Sequence, residues 1–239
     1  MVRVPLSVDA RIIAQHHARD PKTRLPLADD VLAELGRAFQ RANDTCAKIE
    51  TAVQAIMSDQ SRPLAARMID AKKTIMQLAE TATKSLDAAK SKAAKELVEI
   101  YKASSPPPEP NNAGEIRQAL RSLPQAERAA IIAAAIETGD HATSSAMLNA
   151  PSWLSGLSEA ERTMRLQAWR KVHHGELFQR EARLNAALVD FDRGTSAFLG
   201  FVGASMPDAN RAEAAAEAAN AAIADATKTA IEDKQQAAE

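Results

Sequence analysis

The chain has 239 residues, with 30 Lys plus Arg against 31 Asp plus Glu, a formal net charge of -1, a single cysteine and only 3% aromatic residues. That balance excludes a global electrostatic footprint for nucleic acid or an acidic membrane surface; the lone Cys46 excludes an internal disulfide; and no run approaches the roughly 18 apolar residues of a membrane-spanning helix. Alanine supplies about a fifth of the residues. Because alanine favours helix but buries little surface, the composition predicts an all-α, elongated molecule whose helices approach closely over thin seams.

Residues 1-28 read as an extended N-terminal arm. Val2, Val4, Leu6 and Val8 alternate around Pro5, which favours a strand-like segment able to add to another chain. Residues 29-103 read as a long antiparallel coiled-coil hairpin. Asp29 or Asp30 caps a first helix running to about Ser58, along which Leu32, Leu35, Phe39, Ala42, Cys46, Ile49, Val53 and Ile56 recur at alternating steps of three and four. Pro63 sits in the first turn of a second helix. There Leu64, Met68, Ala71, Ile75, Leu78 and Ala82 keep the repeat, and Leu86, Ala89, Ala93, Leu97 and Ile100 follow with two extra steps of four. This helix is the longer, so its end at Leu97, Ile100 and Tyr101 needs cover from elsewhere.

Residues 104-114, SSPPPEPNNAG, cannot be helical through their prolines and predict a stiff linker between two modules. Residues 115-206 read as a helical module with a long helix. Short helices fall at Glu115 to Leu123, Pro124 to Thr138 and about His141 to Asn149, and Trp153, Leu154 and Leu157 of PSWLSGLS are the expected core anchor. Ser158 and Glu161 form a capping box that starts the longest helix, with Leu166, Trp169, His173, Leu177, Leu184, Leu188, Phe191 and Phe198 on one face. Gly194, Gly200 and Gly203 loosen its end. Residues 207-239 read as an Ala-rich C-terminal helix whose face is Ala212, Ala216, Ala219, Ile223, Ala226 and Ala230. That face buries too little to hold an isolated helix.

No catalytic, cofactor-binding or metal-ligating set is assigned. His173, His174 and Glu176 come nearest to a metal cluster, but HExxH is absent and His173 lies on the apolar stripe. There is no GxSxG, no glycine-rich phosphate loop and no Cys-His pair. The helix-turn-helix cadence of residues 123-147 lacks cations for phosphate. Local charge is uneven. From Arg62 to Lys102 nine Lys/Arg oppose five Asp/Glu, whereas from Asp208 to Glu239 three oppose seven.

The segment IRQALRSLPQAERAAIIAAAIETGDHATSSAMLNAPSWLSGLSEAER, residues 116-162, resembles a module of uncharacterised Ala-rich helical proteins of tailed-phage and prophage type, through its LP..ER, GD and AP.WLSGLS elements. The resemblance implies a virion or assembly context, with residence in a virion or the bacterial cytoplasm; the amino terminus carries no apolar core of an export signal. The expected function is a non-enzymatic structural or assembly protein that homo-oligomerises or joins other subunits through helix-helix contacts. Its expected interface comprises Val2, Val4, Leu6, Val8, Leu97, Ile100, Tyr101, Ala212, Ala216, Ala219, Ile223, Ala226 and Ala230. The alternative is a nucleic-acid-binding regulator or DNA-packing protein using Lys72, Lys73, Lys84, Lys90, Lys92 and Lys95 on the basic helix 62-102.

Overall fold

The computed structural model describes residues 5–210, 213–215 and 217–224. The protein is all-α. Among the described residues helices α1 (Ala10–Ala14), α2 (Asp30–Ser58), α3 (Leu64–Ala103), α4 (Ala113–Arg121), α5 (Gln125–Thr138), α6 (His141–Leu148), α7 (Ser152–Ser155), α8 (Glu159–His173) and α9 (Gly175–Ser205) follow a 3-10 turn at Leu6–Val8. The described residues between 210 and 224 are helical as well. The one β-type pairing among them is an isolated antiparallel bridge between Arg19 and Pro26.

The chain folds as two units, neither continuous in sequence: Met1–Gln15, Leu32–Lys90 and Val189–Glu239 form the first, His16–Val31 and Ser91–Leu188 the second. The expected boundary at residues 104-114 is therefore corrected, since the prolines lie inside the second unit. The reason is that this stretch is tied down. Ser104 is fully buried, Asn149 donates from Nδ2 to the Pro107 carbonyl at 2.7 Å, and Arg117 pairs with Glu109 at 2.8 Å.

In the first unit, α2 and α3 run antiparallel. Near the turn Arg67 donates to the Met57 carbonyl, and further away Arg41 donates to Ser85 Oγ at 3.0 Å. Of the residues expected on the seam, Leu35, Phe39, Ala42, Cys46 and Ile49 on α2 and Ala71, Ile75, Ala82, Leu86 and Ala89 on α3 are buried, and Leu78 is half-buried. Toward the turn the seam thins, leaving Val53, Ile56 and Met68 half-buried and Leu64 exposed. The later part of α9 closes this unit through a stack of Phe191 on Phe39, with centroids 4.7 Å apart and planes 7° from parallel.

Gly194 makes that stack possible. A Cβ there would stand less than 3.0 Å from the Phe39 ring and from the Ser7 carbonyl oxygen, whereas Gly200 and Gly203 face open space. None of the three ends the helix, which continues to Ser205. The expectation that they loosen it is thus corrected: helical φ and ψ cost glycine only about 0.5–1 kcal/mol relative to alanine, and the close approach at Gly194 demands the missing side chain.

The second unit is built on short helices around Leu120, Ile132, Ile136, Met147, Leu148, Leu157 and Trp169. Asp140 caps α6 by accepting from the Thr143 N–H at 3.1 Å, and the Thr143 contacts hold its carboxyl below the usual range. The Ser158–Glu161 capping box is present, but the helix it starts is not the longest, because it ends at His173. His174 leaves helical geometry at φ -135° and ψ 42° before α9 begins. Trp153, expected in the core, is 79% exposed. Leu157 and Trp169 supply the buried apolar area instead.

Candidate functional site

The expected interface residues fall into three groups. Val2, Val4, Ala212, Ala216, Ala226 and Ala230 lie outside the described residues. Val8 and Ile100 are corrected, because their own chain buries both. The segment around Val8 is not extended: it forms the 3-10 turn and then α1, with Val8 and Ile13 fully buried and the Val8 carbonyl accepting from Asn43 at 3.3 Å. Alternation around one proline does not distinguish a strand from such a turn, and burial of two apolar residues decides it. The third group is open: Leu6 is 91% and Ile223 64% exposed, Ala219 is exposed, and Leu97 is half-buried.

Tyr101 takes an intermediate place. The residue remains 46% exposed, yet the Arg170 guanidinium sits 4.9 Å from its ring centroid. Arg170 is itself buried, donates from Nε to Ser104 Oγ at 2.7 Å and pairs with Glu181. A second arginine, Arg180, joins three segments of the same unit by binding Asp29 at 2.8 Å and Glu96. The guanidinium fork suits such multiple carboxylate contacts. Neither arginine stood out in the sequence, where each is one charge among many on a helix of mixed polarity.

Cys46 lies fully buried on the α2 seam. Burial, with the charge of Glu50 adding to it, pushes its thiol up to about 11, so it packs as an apolar residue and holds a proton at neutral pH.

Four lysines of the basic stretch are neutralised by their own chain. Lys72 binds Glu213 at 2.6 Å, Lys84 binds Glu80 at 2.6 Å, Lys90 binds Asp192 at 2.6 Å and Lys102 binds Glu99 at 2.9 Å. Lys73, Lys92 and Lys95 are exposed on α3.

His173 packs against Trp169 with centroids 4.0 Å apart and the rings tilted by 40°, and its Nε2 donates to the Ile136 carbonyl at 2.7 Å. A nitrogen so used is not offered to a metal. Burial, then the nearby His173 and Arg170, lower the pKa of His174. Among the described residues no group of three or more His, Cys, Asp or Glu is placed to hold a metal ion.

Two open grooves border these surfaces. One, of about 570 Å³, runs between α3 and the last helical stretch, lined by Ile69, Lys72, Lys73, Met76 and Glu213 among others. The other, of about 550 Å³, lies between the 16–29 segment and the start of α9, beside Asp29, Glu176, Arg180 and Arg183. Neither brings together a nucleophile and a base. No helix among the described residues is long and apolar enough to cross a membrane. No family model, curated protein or solved structure matches the chain.

Proposed function

We propose that the protein is a non-enzymatic structural or assembly component that works by helix-helix association between copies or with other subunits. The observation carrying this reading is the state of the C-terminal helix. Residues 214, 215 and 217–224 are helical and all exposed, with Ile223 at 64%. An alanine-rich helix gains little from burial of its small side chains, and packing of these exposed residues against a partner would add to it. The phage resemblance of residues 116-162 supports a virion or assembly setting.

Light scattering tests the association. The expected result is a mass above that of one chain that falls when residues 207–239 are removed. A one-chain mass unaffected by the deletion sinks the reading. The second reading, nucleic-acid binding, is supported only by Lys73, Lys92 and Lys95, which make no ion pair among the described residues. It requires a gel shift at low ionic strength that weakens steeply with salt.

A further inference from the structure

Trp153 is one of two tryptophans in the chain, and its exposure is not the result of a loose backbone. Pro151 precedes α7 with extended geometry, and Gly156 closes it in the left-handed region at φ +70°, donating its N–H to the Ser152 carbonyl. On the inner side Ser155 is fully buried, its Oγ accepting from the Leu157 N–H at 3.3 Å, and Leu157 enters the core. The indole is thus presented to solvent from a fixed short helix. An aromatic anchor held in advance loses little freedom on binding, and tryptophan and arginine are the residues enriched at the energetic centres of interfaces.

Two arginines reach the Gly156 turn that closes α7. Arg121 Cγ and Arg128 Nη1 lie 3.3 and 3.4 Å from the point a Gly156 Cβ would occupy, three residues from Trp153. Among the described residues neither guanidinium has an ion pair or hydrogen bond. The carboxylates of the adjoining turn are engaged elsewhere: Glu159 by Arg162 and Ser152, and Glu161 by the Ser158 N–H at 2.9 Å. Glu127 stands one residue before Arg128, turned about 100° around α5. The patch therefore pairs an apolar ring with unneutralised positive charge, which calls for an acidic segment bearing a small apolar face.

The chain carries such a segment. Residues 208–239 hold seven acidic residues against three basic ones, and the described part is an exposed alanine-rich helix with Ile223 open to solvent. We infer that Trp153, Arg121 and Arg128 form the docking site for the acidic carboxy-terminal segment of a second copy of this chain. The inference rests on the self-association reading and names the surface that carries it. Tail carboxylates pair with the two arginines, while the apolar side of the tail helix covers the indole.

The test is light scattering of the full chain across concentration at low salt. Trp153→Ala and, separately, Arg121→Glu with Arg128→Glu should each weaken association roughly tenfold or more, with helical content unchanged. Adding Glu217→Lys, Glu232→Lys and Asp233→Lys to the double arginine variant should restore association. Association that survives both the tryptophan and the arginine changes overturns this docking site and leaves self-association standing. A wild type that stays at one-chain mass at every concentration removes the self-association reading and this site with it. If single-stranded oligonucleotide quenches Trp153 emission and blocks association, the patch is a nucleic-acid surface, and the inference is overturned.

Discussion

The two units solve the problem of an aromatic-poor sequence in different ways. The first relies on periodicity: long helices repeat small and branched apolar residues, and one stack of Phe39 on Phe191, admitted by Gly194, thickens an otherwise thin seam. The second has short helices around a single tryptophan and holds its remaining segments with buried or half-buried arginines at positions 117, 170 and 180. Apolar burial stabilises without direction, whereas paired charges pull hard only in one geometry and leave a large penalty when a partner is lost. The first unit should therefore tolerate conservative apolar changes better than the second tolerates charge removal.

The chain contains its own reporters for this comparison. Both tryptophans belong to the second unit and the only cysteine to the first. The largest effects are expected from Phe39→Ala and Trp169→Ala, each costing about 3–5 kcal/mol through lost burial and the cavity left behind. In urea titrations Phe39→Ala should shift the reaction of Cys46 with a thiol reagent more than it shifts tryptophan emission. Equal shifts of both probes would show that the division into units has no energetic counterpart. In the native wild type Cys46 should not react, given its burial and raised pKa.

Arg170→Met comes next. It preserves the stem over Tyr101 but leaves Glu181 without its cation and Ser104 Oγ without its donor, at a cost of about 3 kcal/mol, the lower end for a broken buried pair because Glu181 retains some solvent contact. Adding Glu181→Gln should recover part of that loss. If Arg170→Met is as stable as wild type in thermal unfolding, the second unit does not depend on its arginines as argued.

Gly194→Ala should cost about 1–3 kcal/mol by overpacking against Phe39 and Ser7. Gly200→Ala and Gly203→Ala should be neutral or stabilise by about 0.5–1 kcal/mol, since each gains helix propensity with space available. Equal melting temperatures for all three variants would refute the close-approach argument.

The smallest effect is electrostatic. Burial lowers the folded pKa of His174, with His173 and Arg170 adding to it. Its unfolded form thus binds a proton at higher pH. The stabilisation is complete above the ordinary histidine value of about 6.5 and is lost as pH falls through that value toward the lower folded one. His174→Gln should flatten this part of the stability-pH curve, measured by urea midpoints; an unchanged slope would exclude His174 as its source.

What the sequence made legible tracks periodicity. Residues 32 to 49 announce their buried face because one spacing repeats without interruption, and the limits of α2 and α3 follow from Asp29, Ser58 and Pro63. The arm around Val8 did not, because two residues of burial outweigh a weak alternation. The break at His174 was also missed: the apolar stripe continues across it and masks the stop signal that Gly175, directly after the cap, supplies. Trp153 misled for a related reason: propensity to be buried belongs to a residue type, while the direction in which α7 points belongs to Pro151, Gly156 and Leu157 together. For the candidate surface the informative signal was local charge, and only the structure separated lysines already paired from the arginines at the Gly156 turn, which have no ion pair among the described residues.

The course of the backbone through the second unit also governs how the molecule can be divided. Its two pieces, His16–Val31 and Ser91–Leu188, are separated by most of α2 and α3, so no single cut releases it whole. A fragment begun after the prolines would lack Ser104, the partner of Arg170, and Glu109, the partner of Arg117. It would also lack Asp29 and Glu96, leaving Arg180 with neither of its acids. Proteolysis at the prolines, the most loop-like stretch in the sequence, is thus expected to yield two pieces that remain associated, and dissection for structural work should leave that stretch intact.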